Sequence, residues 1–278
     1  MTATTIARAW AVRRADGLTL GFTDHDGVLS FEGIAFRPEA GLTAQALVQG
    51  LGLAVDNTEA QGVLSDEAIT AEDLAAGRWD GAEVRLWEVD WTDVTSRRLV
   101  FRGSLGEITF AAGAFRAELR GLAEALNRAQ GRVYHPRCSA LLGDGQCRFD
   151  LDREGFWAEG TIASLDEGGA RLELHGVPAH RAEWFEHGRI AFLDGAAQGL
   201  AGAVKIDAMP EPGVRTVELW AAPGAAPAVG DRVRLTAGCD KRAETCRGKF
   251  LNFLNFRGFP HLPPEDWLIA PQANGGRQ

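Results

Sequence analysis

The chain has 278 residues, enough for two modest domains or one large β-rich one. Its composition is 45% hydrophobic and 24% charged, with 38 acidic against 29 basic residues, a net charge of −9, a pI near 5.2 and a mean hydropathy of −0.13. No stretch approaches the roughly 20 apolar residues of a membrane span, and the acidic balance argues against a duplex DNA or RNA binder, which carries a basic face.

Met1 to Trp10 has neither a basic start nor an apolar run, so no secretory signal is expected and the chain is expected to be made in the cytoplasm. From there to about residue 130 the pattern is mostly strand. Arg8–Arg13, Leu18–Thr23, Val28–Phe31 and Ile34–Phe36 are short apolar runs separated by Asp16-Gly17, Asp26-Gly27 and Glu32-Gly33, the dipeptides that favour hairpin turns. Thr70 with Asp73 makes a capping-box-like start for a short helix. Glu83–Asp90 and Arg98–Phe110 return to strand, and Gly121–Ala129, with Leu122 and Leu126 at i and i+4, predicts a helix.

Val133 to Asp152 is polar and broken by glycine, and it holds Cys138 and Cys147. A second strand series follows: Phe156–Leu165, Ala170–Leu174, Arg189–Leu193, Gly202–Ala208, Val214–Trp220 and Asp231–Leu235, with turns at Asp166–Gly169 and Pro210–Gly213. This spacing fits a small barrel or sandwich. Gly238–Gln278 then brings Cys239, Cys246 and the aromatic series Phe250, Phe253, Phe256 and Phe259, expected to pack around the cysteines. The tail Pro271–Gln278 has no apolar anchor and is expected to be either disordered or ordered only by a partner. The expected fold is therefore mainly β with few short helices: an N-terminal β-domain (1–132), a first cysteine segment (133–152), a second β-domain (153–237), and a second cysteine segment with the C-terminal tail (238–278). A four-cysteine site is expected to join the two β-domains, each a small barrel or sandwich.

The cysteines stand as C-x8-C and C-x6-C, with 91 residues between the pairs. Four thiols in a cytoplasmic chain are more often metal ligands or buried groups than disulfides. Structural zinc sites usually show C-x2-4-C, narrower than either pair. An iron–sulfur cluster tolerates wider spacing. On the residues alone, iron–sulfur, zinc and unligated thiols all stay open. Arg137, Arg148, Lys241, Arg242 and Arg247 lie within three residues of a cysteine. They are expected to favour an anionic centre and to lower the thiol pKa values. Gly143, Gly145, Gly238 and Gly248 are expected to let backbone amides approach its sulfides.

The segment Tyr134-His135-Pro136-Arg137-Cys138 through Gly143-Asp144-Gly145-Gln146-Cys147-Arg148-Phe149 resembles a signature of phage tail proteins. With Gly238-Cys239-Asp240-Lys241-Arg242-Ala243-Glu244-Thr245-Cys246 and Lys249 through Pro260, it is similar to the baseplate-hub family of siphophages and of the gene transfer agents of alphaproteobacteria. The cysteine pattern is also similar to that of the tail-tip proteins of lambda-like phages, which hold a [4Fe-4S] cluster. In the amino half, Glu72-Asp73-Leu74 and Gly77-Arg78-Trp79-Asp80-Gly81-Ala82 resemble the hub family's first domain.

The resemblance implies Cys138, Cys147, Cys239 and Cys246 as ligands of a [4Fe-4S] cluster, with zinc as the alternative occupant. It further implies a structural protein of the virion tail tip. That protein would be a homotrimeric ring around the DNA exit channel, adapting a sixfold tail to a threefold tip. A distal tail ring would lie above it and a tail-tip or receptor-binding protein below. DNA would pass the acidic lumen without specific binding.

An enzyme is not expected. No G-x-S-x-G, H-E-x-x-H or P-loop occurs in the chain. Asp24-His25-Asp26 reads as a hairpin turn, and His135 and His261 as bystanders to four thiols. A cysteine peptidase would use Cys138 with His135, the one close pair. The rival enzymatic reading is a zinc- or iron–sulfur-containing enzyme that processes DNA or degrades cell wall. An iron–sulfur DNA enzyme would need a basic surface and usually a helical frame.

Overall fold

A computed structural model describes residues 5–38, 42–43, 57–63, 70–111, 114–121, 131, 133–178 and 180–262. The chain divides into two compact units, Met1–Gln130 and Gly131–Gln278. The expected helix Gly121–Ala129 falls outside the described residues apart from Gly121, and the tail Pro271–Gln278 falls outside them entirely.

The first unit is a nine-stranded sheet. Its strands are β1 (Ile6–Arg13), β2 (Thr19–Thr23), β3 (Leu29–Phe31), β4 (Ile34–Pro38), β5 (Leu42–Thr43), β6 (Asn57–Val63), β7 (Glu83–Asp90), β8 (Asp93–Ala111) and β9 (Ala114–Gly121). The order across the sheet is β3-β4-β2-β1-β7-β8-β9-β6-β5. β5, β6 and β9 are not anticipated from the sequence.

The period of two explains why β1 sits near the middle. Ala7, Ala9 and Ala11 point to one face, where they meet Phe31, Phe36, Trp87 and Val89. Val12 points to the other, against Phe22, Trp79, Val84 and Leu119. Both faces of the strand are thus covered.

Two of the three expected hairpins form. Asp16-Gly17 joins β1 to its antiparallel neighbour β2, and Glu32-Gly33, both at positive φ, joins β3 to β4. The third does not. Asp26-Gly27 connects β2 to β3, which are not neighbours, because β4 lies between them and runs parallel to β2. The local dipeptide signal marks a turn there, and tertiary pairing decides which strands it serves. Gly21 makes that parallel pairing possible, since a Cβ on it would lie 2.6 Å from the Ala35 carbonyl oxygen.

Helix α1 (Ala71–Ala75) begins as the sequence predicts: Thr70 is its N-cap, and the Asp73 N–H donates to Thr70 Oγ1 at 3.1 Å. Asp73 then receives Arg14 and Arg78, both at 3.1 Å.

The second unit contains a closed six-stranded barrel of β10 (Trp157–Leu165), β11 (Arg171–His175), β12 (Arg189–Phe192), β13 (Ala201–Glu211), β14 (Val214–Leu219) and β15 (Arg232–Thr236). Their order is β10-β11-β14-β13-β12-β15, and β15 closes on β10. All six expected strands are present. Alternation is clean: Leu172, Leu174, Ile190, Val204, Val217, Val233 and Leu235 are fully buried and form one core with Phe185 and Phe192.

One polar pair sits inside this apolar shell. Asp207 of β13 and Arg215 of β14 bond at 2.5 Å with almost no exposure of either side chain. Asp207 also accepts the Phe185 N–H at 2.8 Å, and Arg215 donates to the His180 carbonyl at 2.5 Å. The pair therefore holds the loop between β11 and β12, which delivers Trp184. Trp184 receives the Gly238 N–H and the Lys249 ammonium on its carbonyl, so the lock reaches the start of the second cysteine segment.

A thiol-lined pocket as the candidate functional site

Both cysteine segments belong to the second unit. Around Cys147 the local structure is organised by Asp144. Its Oδ1 accepts the N–H groups of Cys147 at 2.6 Å and Gln146 at 2.9 Å, and its Oδ2 accepts that of Leu141 at 2.8 Å. Those backbone donors, Cys147 first, hold the Asp144 carboxyl below the usual carboxylate range.

Cys246 lies on helix α2 (Ala243–Gly248), directly after the segment that carries Cys239. The two segments are stitched by backbone and side chain: the Cys138 N–H donates to the Lys241 carbonyl at 2.8 Å, and Lys241 Nζ returns to the Ala140 carbonyl at 2.6 Å.

This stitching brings all four predicted cysteines to one small pocket. Cys138, Cys147, Cys239 and Cys246 line it together with Ala140, Leu142, Phe250, Asn252 and Asn255, and with Lys241 and Arg242 at its edge. All four are free thiols. No histidine or carboxylate lines the pocket. His135 accepts the Arg137 N–H at 3.1 Å and is solvent-exposed, as is His261. Cys138 Sγ accepts the Arg257 N–H at 3.3 Å.

Among the described residues, no three His, Cys, Asp or Glu side chains stand close enough together to hold a single metal ion. The donor set is soft, all sulfur, and spread over the walls of a shared pocket. Cysteine sulfur of this kind serves both iron–sulfur clusters and structural zinc.

The aromatic series divides. Phe250 is buried and packs with Phe149 and Ala237, while Phe156, Trp184, Cys147 and Cys239 close the same core. Phe253 stacks on Phe256, and Phe259 lies against Tyr134; these three are only half-buried.

One expectation needs correction. The neighbouring cations do not lower the thiol pKa values of the second pair: burial pushes Cys239 up, and burial with the three other sulfurs pushes Cys246 up to about 11. Lys241 and Arg247 pull the other way and lose, because desolvation of a thiolate outweighs a screened cation. Only Lys241 and Arg242 of the five cations line the pocket; Arg247 covers Phe253 at 4.0 Å, and Arg148 Nε binds the Gly145 carbonyl at 3.2 Å.

Two of the four glycines are also required by packing, while Gly145 and Gly248 have open space around them. A Cβ on Gly238 would overlap the Glu186 carbonyl and the Gly188 nitrogen, and one on Gly143, at φ +83°, would press on Leu151. Both are required by packing of backbone against backbone or side chain.

Sequence reasoning missed Asn252 and Lys249. Lys249 donates to the Trp184 and Gly238 carbonyls at 2.6 and 2.8 Å, and burial brings its pKa down to about 8. A lysine three residues after a cysteine carries no pattern that reveals this.

The fold and site define a mainly β protein whose four cysteines share one pocket. Residues 1–150 match the family model described as baseplate hub protein, N-terminal attachment domain, and residues 183–266 match the model described as phage conserved hypothetical protein BR0599. The chain belongs to the baseplate hub protein family. A solved chain from the virion of a native gene transfer agent particle is 56% identical, with a TM-score of 0.90, covering 100% of this chain and 95% of that one. No curated protein is similar enough to count as a match.

Proposed function

We propose that this protein is a structural hub at the tail tip of a phage-like particle. Three copies form a ring around the DNA exit channel and adapt the sixfold tail above to a threefold tip below. Its neighbours are a distal tail ring protein on one side and a tail-tip or receptor-binding protein on the other. The observation that carries this reading is the full-length similarity to a chain of a gene transfer agent virion, joined to the hub family match over the first 150 residues. The net charge of −9 supports it, since an acidic lumen lets DNA slide without being held.

The four cysteines hold a [4Fe-4S] cluster with a structural role. Bound there, the cluster would crosslink Cys138 and Cys147 to Cys239 and Cys246. It would close the long loop that spans the barrel and so remove freedom from the unfolded chain. The four cysteine sulfurs and the apolar wall of Leu142, Ala140 and Phe250 support this occupant.

Two experiments test the proposal. Protein purified without oxygen should be brown, with near-stoichiometric iron and sulfide; a colourless protein with one zinc per chain overturns the cluster. A cryo-EM reconstruction of the particle should show three copies at the tail tip. Six copies in one ring, or density for this chain outside the tail, overturns the trimeric hub.

A further inference from the structure

Asn252 stands apart from every other polar side chain near the thiols. Its Nδ2 donates to the Cys147 carbonyl at 2.7 Å and reaches the Cys147 Sγ at 3.5 Å. The orientation of this amide is set by a second asparagine: Asn255 Nδ2 donates to Asn252 Oδ1 at 2.8 Å. With its oxygen already engaged as acceptor, Asn252 must turn its N–H2 toward the cysteine. Its backbone is fixed as well, because the Asn252 N–H donates to the Cys246 carbonyl at 3.0 Å. One residue thus spans a cysteine of each pair.

A few residues on, the Arg257 N–H donates to Cys138 Sγ at 3.3 Å, while the Arg257 carbonyl accepts the Ser139 N–H and hydroxyl at 3.4 and 3.2 Å. The stretch from 252 to 257 therefore supplies N–H donors to both sulfurs of the first pair. A thiol is a weak acceptor and gains little from such donors, whereas an anionic thiolate gains much more. The arrangement suits sulfurs that carry negative charge.

We infer that Asn252, oriented by Asn255, is a positioning residue for the proposed cluster: its amide stabilises the Cys147 thiolate and sets both the reduction potential and the retention of the bound group. The inference rests on the cluster reading above. Hydrogen bonds to ligand sulfur stabilise the more negative reduced state, so they raise the potential, and outer-shell partners of this kind also govern how tightly a centre is held.

The test uses the full chain, purified without oxygen and compared with Asn252→Asp and Asn255→Ala. Asn252→Asp keeps the shape and the acceptor that Asn255 needs but replaces the donor by an anionic oxygen. It should lower the midpoint potential read by spectroelectrochemistry, shift the Fe–S stretching bands in resonance Raman spectra, and speed loss of iron to a chelator by about 10–100-fold. Asn255→Ala leaves the donor in place but frees it to turn; the same three readouts should move in the same direction and by less. If Asn252→Asp does not accumulate as folded protein, Asn255→Ala alone carries the test.

Wild-type protein that takes up no iron and sulfide overturns the cluster reading, and this inference with it. Wild-type protein that holds the cluster, beside variants with unchanged potential, Raman bands and chelation rate, overturns the role of Asn252 alone.

Discussion

The two units solve the problem of burying β-strands differently. The barrel closes on itself and gathers its apolar side chains into one core, in which nine residues have no measurable exposure. Inside it lies the buried ion pair Asp207–Arg215. The nine-stranded sheet of the first unit keeps two separate apolar patches, one on each face of β1 and β7. Its ionic contacts are largely at the surface, as with Glu88–Arg98 and Glu83–Arg102. Closure removes strand edges and lets every inward residue meet the others. An open sheet must cover each face in turn. Electrostatics therefore matter most where they are few and buried, and least where they are many and exposed.

The largest expected effect tests the buried pair. Arg215→Met strands the Asp207 charge in the barrel and should cost about 3–5 kcal/mol in urea unfolding followed by hydrogen exchange of barrel amides. The double variant Asp207→Leu with Arg215→Met removes the stranded charge and should recover much of that loss. A single variant as stable as wild type would erase the contrast between the units.

In the first unit, the cap of α1 provides the next effect. Thr70→Ala removes the acceptor for the Asp73 N–H and should destabilise the unit by about 1 kcal/mol, with faster exchange confined to α1. A loss spread over the whole sheet would mean that this short helix supports more of the unit than its length suggests.

Acid should loosen the turn between β7 and β8 of the first unit. Asp90 and Asp93, in the β7–β8 turn, each accept a hydroxyl and a backbone N–H, from Thr92 and Thr95 respectively. These bonds, the threonine hydroxyls first, hold both carboxyls below their ordinary values. Since the folded-state values are depressed, the stabilisation is complete above the unfolded carboxylate pKa of about 4 and is lost as pH falls through the lower folded values. Amide exchange at Thr92 and Thr95 should accelerate there, and Asp93→Asn should flatten that dependence at Thr95.

The smallest effect belongs to the exposed pair Glu88–Arg98, at 2.7 Å. Arg98→Ala should change stability by no more than about 1 kcal/mol and less in high salt. A larger loss, insensitive to salt, would show that the sheet depends on its surface charges after all.

A small barrel or sandwich was legible in the sequence because short apolar runs recur at regular spacing, separated by turns rich in glycine. Each of the six strands lies within a few residues of its expected bounds, from Trp157–Leu165 to Arg232–Thr236. The short helix at Thr70 was legible for a similar reason, since a capping hydroxyl and its N–H partner lie three residues apart. The parallel contact of β2 with β4 was not, because nothing in the Asp26-Gly27 dipeptide tells a turn which strand will lie beside it.

The same division runs through the site. Cys138, Cys147, Cys239 and Cys246 stand out by type and paired spacing, and the resemblance to the hub family implies them as ligands. That they share a pocket, that burial rather than neighbouring cations governs the second pair, and that Asn252 faces Cys147 all depend on contacts across about a hundred residues. Local chemistry is written in the order of the residues. Desolvation and the direction of a hydrogen bond exist only once distant segments have packed, and so only the tertiary structure decides them.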